Sequence, residues 1–305
     1  MNQTKKKNPL KRLLSMRGMG QVVTVTIGLI VLLVAFALIN PNFWSPTNRT
    51  NLLRQIAPIL IIGIAQSYVL ITGNIDLSIG SVVGMSTMVA ATLMSKGIMS
   101  PIPALLVTLL CCLLIGVLNG LLVAKFKLPP FIATLGTMTV ARGIAQLVNG
   151  NYNTDSIMKF YPEAAQTFKN VFYYGKTLGL YNGIWIAIIL WIVFNFLLSK
   201  TRTGRYIYAT GSNIDAARLS GVNVVSTTVI AYVVSAFCSF VVGIITCATV
   251  GQGTMDAGNS YEMYAVAASV IGGVSTLGGQ GILLGTVVGA AIWGTLQNGL
   301  QFAGA

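Results

Sequence analysis

The 305-residue sequence contains no histidine and only six acidic residues. Without an imidazole, and with its carboxylates scattered, it has little from which to build a metal centre or a histidine-based catalytic site. Asp256 and Glu262 come nearest to a carboxylate pair, but their spacing at the start of an apolar block is weak support for catalysis. Cysteine is scarce too. All four (Cys111, Cys112, Cys238, Cys247) fall in apolar blocks, so no disulfide framework is implied. No cleavable signal peptide is recognisable: the first apolar block is too long for an h-region, and no small-residue cleavage site follows before Asn40-Pro41. A nucleotide loop is also lacking. Gly175-Lys176-Thr177 ends like one, but Asn170 stands where its first glycine is required. Charged residues make up only 8% of the chain, against about 25% in soluble domains.

What the chain has instead is apolar length. It is 54% hydrophobic, with a mean hydropathy of +0.78. A helix needs about 20 apolar residues to cross roughly 30 Å of hydrocarbon. Such blocks recur at 21–39, 54–72, 78–95, 103–124, 131–148, 182–199, 226–249, 261–274 and 282–303. The block at 261–274 is too short to span alone and reads as a half-helix, or as a helix broken at Gly272-Gly273. The fold class is therefore all-α: a polytopic membrane protein of about nine or ten transmembrane helices, some broken or re-entrant. A basic segment, 1–20, precedes one integral domain, 21–305. No short tandem repeat is visible.

The net charge of +13 is distributed as topology rather than as a nucleic-acid footprint. Lys5, Lys6, Lys7, Lys11, Arg12 and Arg17 precede the first block and predict a cytoplasmic N-terminus. Counting sides from there leaves Lys125, Lys127 and a loop at 200–225 inside. Outside fall Arg49, Arg54 and Lys96, together with Lys159, Lys169 and Lys176 of a long external loop, 149–181, in which a short helix around Glu163–Asn170 is expected. By the same parity block 282–303 runs outward, so a further helix beyond it is expected.

Four stretches carry the chemistry. The first is Gly73-Asn-Ile-Asp-Leu-Ser-Ile-Gly-Ser81, which sets an acid between two apolar blocks. Such an acid costs about 2.5–3.5 kcal/mol at the bilayer centre. Asp76 or Ser78 can cap the following helix, and the break can also expose polar atoms along a solute path. The second, Leu128-Pro-Pro-Phe-Ile-Ala-Thr-Leu-Gly-Thr-Met138, opens a helix on proline and gives it a small, hydroxylated face with Thr134 and Thr137, suited to packing or to a polyol. Arg142 within that helix either snorkels outward or pairs with an acid or solute near the outer mouth. The third is the cationic loop 200–225, where Ser212 or Asn213 can cap a short helix that Asp215, Ala216, Ala217 and Arg218 extend and Gly221 ends. A capped helix on the cytosolic face suits a partner, although a plain connection has the same appearance. The fourth, Tyr261 to Gly281, is rich in small residues and ends in glycines that permit a sharp re-entrant turn.

Together these motifs resemble the permease subunits of bacterial ATP-binding-cassette importers for ribose, xylose, galactose and related monosaccharides. The likeness runs from about Asn40 to the end of the chain. It rests on the segment 73–81, where Asn74 replaces a family glycine, and on 128–137 with Arg142-Gly143. It rests also on Thr203-Gly-Arg through Ala216-Ala-Arg-Leu-Ser-Gly221, and on Ile271-Gly-Gly followed by Gly278-Gly-Gln-Gly281. The similar branched-chain amino-acid permeases match less closely at Ile75-Asp-Leu-Ser78. The resemblance implies a non-catalytic subunit in a bacterial inner membrane, paired with a second permease copy or paralogue. It also implies a cytosolic ATPase carrying the ATP and magnesium, and an extracytoplasmic sugar-binding protein. The solute path would run near Asn74, Asp76 and Ser78, with Thr134, Thr137 and Arg142 on a neighbouring helix. The coupling helix maps to Asn213–Ser220, with Gly211 and Gly221 flanking it. Two rival readings are a proton- or ion-coupled transporter acting alone, with Asp76 as its carboxylate, and a scaffold recruiting an enzyme through 200–225.

Overall fold

The structure is a computed structural model that describes residues 19–304. The basic segment that predicts a cytoplasmic N-terminus lies almost wholly outside the described residues. The helices are α1 (Met19–Ile39), α2 (Pro46–Ile71), α3 (Ile79–Ser95), α4 (Pro101–Ala124) and α5 (Pro130–Leu147), then α6 (Pro162–Lys169), α7 (Asn182–Lys200), α8 (Arg202–Ser212), α9 (Ile214–Leu219), α10 (Val224–Val250), α11 (Tyr261–Ile271) and α12 (Leu283–Ala303). Pro46, Pro101, Pro130 and Pro162 sit in first turns, where the missing N–H costs least. Between α6 and α7 lie a π turn, Asn170–Tyr174, and an antiparallel hairpin of β1 (Lys176–Thr177) and β2 (Leu180–Tyr181), with Lys176 opposite Tyr181.

Five helices (α1, α2, α4, α7 and α10) are long and apolar enough to cross a membrane, and α3 and α11 are shorter apolar helices. The chain is thus a multi-pass, all-α membrane protein. Within their apolar windows α2 is 78% buried and α10 67% buried, whereas α1 is 11% buried. The first two form the centre, and α1 turns Ile27, Val31, Val34 and Leu38 outward, as a lipid-facing helix must.

The central pair is built as an inverted repeat that hydropathy does not reveal. Residues 60–76 (LIIGIAQSYVLITGNID) align without a gap on 240–256 (FVVGIITCATVGQGTMD). Each segment ends its long helix in a Gly-x-x-Asp break, followed by a short helix. The two long helices run antiparallel. Tyr232, near the start of α10, donates to the Ile75 carbonyl just after α2 (3.0 Å), while Ile245, near the end of α10, lies by Ala57 and Pro58 in the first half of α2. The matching glycines make matching contacts. Ser269 of α11 donates to the Gly63 carbonyl (2.9 Å), and Thr87 of α3 donates to the Gly243 carbonyl (3.0 Å). A Cβ on Gly63 would stand 3.2 Å from Ala268 Cβ of α11 and 2.9 Å from Thr286 Cγ2 of α12, and one on Gly243 would stand 2.5 Å from Ser86 Cβ of α3. Both crossings therefore require glycine for close backbone approach. Inverted repeats meeting at broken helices are a recurring transporter architecture.

Candidate functional site

The first break, between α2 and α3, is organised by Asp76, which is 2% exposed. Its Oδ1 accepts the Ser78 N–H (2.9 Å) and the Ser78 hydroxyl (2.6 Å), and its Oδ2 accepts the Ser235 hydroxyl of α10 (2.7 Å). Ser78 in turn accepts from the Asn119 amide of α4 (2.9 Å), and Asn119 accepts the Thr137 hydroxyl of α5 (2.6 Å). Every donor in this relay points toward the carboxylate. Three bonds to a charged group at about 1.5–3 kcal/mol each are enough to offset an insertion cost of about 2.5–3.5 kcal/mol. Asp76 does not reach into α3 as a capping side chain would: Ser78 occupies the cap position and its side chain makes no cap hydrogen bond.

The structure brings together only some of the residues singled out from sequence. Asp76, Ser78 and Thr137 share one network. Asn74 folds back on the Thr72 hydroxyl (2.8 Å), and Thr134 spends its hydroxyl on the Pro130 carbonyl of its own helix (2.8 Å). Arg142 belongs to the second break. Its Nη1 donates to the carbonyls of Met255 and Ala257, each at 3.0 Å. Snorkelling does not describe this contact: the guanidinium caps backbone, with the carboxylates of Glu262 and Asp256 close enough to act on its charge. The loop after α5 satisfies more of that backbone. Thr154 N–H donates to the Gly253 carbonyl (2.9 Å), Gly253 N–H to the Thr154 hydroxyl (2.8 Å), and Met255 N–H to Asn153 Oδ1 (2.9 Å). Irregular backbone at membrane depth needs such partners. Sequence reasoning does not find Ser235 and Asn119. Asn119 carries a usable signal, a lone amide in an apolar block, whereas Ser235 is an ordinary small helix residue.

The cationic loop holds two helices rather than one. As expected, Asn213 caps the second: its Oδ1 accepts the Ala216 N–H (2.9 Å), and Gly221 follows the end at φ +82. Asp215 and Arg218 are exposed and lie 3.6 Å apart, Ala216 and Ser220 are exposed, and Ala217 is buried. Leu219 projects from the fold at 90% exposure, with Ile214 also exposed. The first of the pair, α8, lies against the end of α2 and the glycine loop after α11. Tyr208 donates to the Gly281 carbonyl (2.6 Å), and burial pushes its phenol pKa up to about 12. Gly279 N–H donates to the Ile71 carbonyl (2.9 Å), and Gly211 is pressed against both. A Cβ on Gly211 would collide with that carbonyl and stand 2.6 Å from the Gly279 nitrogen. The end of α2, the end of α8 and the glycine loop after α11 therefore meet at one joint, from which α9 projects.

Comparisons with known proteins find transport permeases. A family described as branched-chain amino acid transport system / permease component matches residues 48–305. The ribose import permease protein RbsC of Haemophilus influenzae is 40% identical over 278 residues, covering 90% of this chain and 84% of its own. RbsC of Bacillus subtilis is 36% identical, covering 91% and 84%. The galactose/methyl galactoside import permease protein MglC of Escherichia coli is 34% identical over 292 residues, covering 90% and 86%.

Proposed function

The chain belongs to the family of branched-chain amino acid transport system permease components, and on that premise we propose that it is the membrane-spanning subunit of an ATP-binding-cassette importer for a monosaccharide. The observation that carries the substrate class is the likeness to ribose and galactose import permeases over about nine-tenths of the chain. The chain itself provides the path and no chemistry. Energy comes from a cytosolic ATPase that holds ATP and magnesium. Sugar arrives from an extracytoplasmic binding protein, and a second permease copy or paralogue completes the path. The protein sits in a bacterial inner membrane with its N-terminus in the cytoplasm.

The joint at Gly211 suggests how the ATPase acts. A push on α9 is carried by α8 to the end of α2 and to the glycine loop at once, and so to both broken helices. Gly211 and Ala217 are packed against the bundle, so their substitution would disturb folding as well as coupling. Leu219 is the cleaner probe. In proteoliposomes containing ATPase and binding protein, Leu219→Glu should abolish ATP-driven sugar uptake while the permease still inserts. Uptake at the wild-type rate would contradict coupling through α9.

A further inference from the structure

At the end of α2 remote from Asp76, a cavity of about 280 Å³ is lined by Asn48, Asn51, Arg54, Gln55, Asn298 and Gln301. Its floor is a reciprocal amide pair: Asn48 Nδ2 donates to Asn298 Oδ1 (2.9 Å), and Asn298 Nδ2 donates to Asn48 Oδ1 (3.1 Å). Two lining atoms, Arg54 Nε and Gln55 Oε1, are buried without a hydrogen-bond partner among the described residues. Buried polar atoms in a folded protein normally find one. The helix itself supplies a second acceptor, because Pro58 has no N–H to give the Arg54 carbonyl.

Arg54 is held in place by aromatic rings. Its guanidinium lies 4.3 Å from the Tyr173 ring centroid and 4.1 Å from that of Tyr181. The two rings hold the cation by cation–π contact and leave its N–H groups to meet a ligand. The inverted repeat gives a direct contrast. Extended five residues further back without a gap, the alignment pairs Gln55 with Ser235, and the shared Asn-Gly step pairs Asn298 with Asn119. Ser235 and Asn119 are consumed by Asp76, Ser78 and Thr137. At the outer end the equivalent positions face a cavity. Its wall carries four amide side chains besides Gln55, one oriented guanidinium and no carboxylate. That is a set of mixed donors and acceptors with an aromatic border, which suits a neutral, hydroxyl-rich solute.

We propose that this cavity is an external reception site for the free monosaccharide, with the Arg54 edge and Gln55 Oε1 bonding adjacent hydroxyls before the solute reaches the broken helices. The inference rests on the orientation and substrate class argued above. Two measurements on the full chain test it. The first is saturation-transfer NMR of D-ribose and of D-galactose with the permease in nanodiscs, without binding protein. The second is ATP-driven uptake of the same sugars in proteoliposomes, alongside sedimentation of the binding protein with those vesicles.

Gln55→Leu and Arg54→Leu should each abolish saturation transfer and lower maximal uptake by about tenfold, the scale of one hydrogen bond, with binding-protein docking unchanged. Gln301→Leu, at an exposed helix position, should lower both in a protein that keeps its fold. Unchanged transfer and uptake in the variants would overturn the inference, as would loss of docking, which would make this a protein interface. Displacement of the sugar by inorganic phosphate would overturn it in favour of an anion site. If the wild type takes up no sugar yet shows transfer that these variants remove, the importer reading fails and the site stands. If it takes up sugar and the variants do so equally, the site fails and the importer reading stands.

Discussion

Asp76 is a buried carboxylate with no cation within its network, and its three accepted hydrogen bonds define what substitution should do. Ser235→Ala removes one donor and should lower unfolding stability by about 1–2 kcal/mol, read as a reduced thermal midpoint of the purified permease. Asp76→Leu leaves the donors of Ser78 and Ser235 unpaired and should prevent accumulation in the membrane. Asp76→Asn keeps the shape and part of the bonding. It should retain measurable uptake, whereas a proton-coupled carrier would lose transport with its fold intact. Arg142→Gln should free the loop around Met255 and Ala257. A cysteine placed at Asn259 would then react faster with an impermeant maleimide; an unchanged rate would show that the outer-loop hydrogen bonds suffice. Asp76 and Ser78 are legible in sequence because a charge inside an apolar block is costly enough to demand partners. The partner across the bundle is not legible, since a hydroxyl such as that of Ser235 leaves no mark on hydropathy.

At the scale of elements, the apolar blocks map closely onto helices because length and hydropathy alone decide which segments cross a bilayer. The block expected from 54 starts at Pro46, since its first two turns are mostly polar and hydropathy passes over them. The short outer helix is also legible: Pro162 and Glu163 mark its start. Helix α8 is not. Its sequence, RTGRYIYATGS, holds two glycines and two arginines, and only the burial of Gly204, Ile207 and Thr210 against the bundle makes it a helix rather than a loop. The inverted repeat escapes for a different reason. Every block is apolar, so the alignment of 60–76 on 240–256 stands out only once Gly63 and Gly243 are seen to make the same crossing. That equivalence predicts equal sensitivity: Gly63→Leu and Gly243→Leu should each overpack a helix crossing by about 1–3 kcal/mol or more, and each should reduce folded yield on size-exclusion chromatography. Tolerance at one site with loss at the other would break the equivalence.

For the whole molecule, the outward-facing leucines and isoleucines of α1, α4 and α7 place this chain in lipid, and the joint beneath α8 links the end of α2 and the glycine loop after α11 to one projecting helix. In the proposed function this layout serves a path subunit whose motor is another chain. The most direct test is mild-detergent purification from native membranes, followed by native mass spectrometry of the intact assembly. The account predicts two permease subunits carrying two copies of an ATPase, and dissociation of that ATPase in the Leu219→Glu variant. A permease recovered alone, with sugar uptake that survives ATP depletion and collapses with the proton gradient, would contradict it.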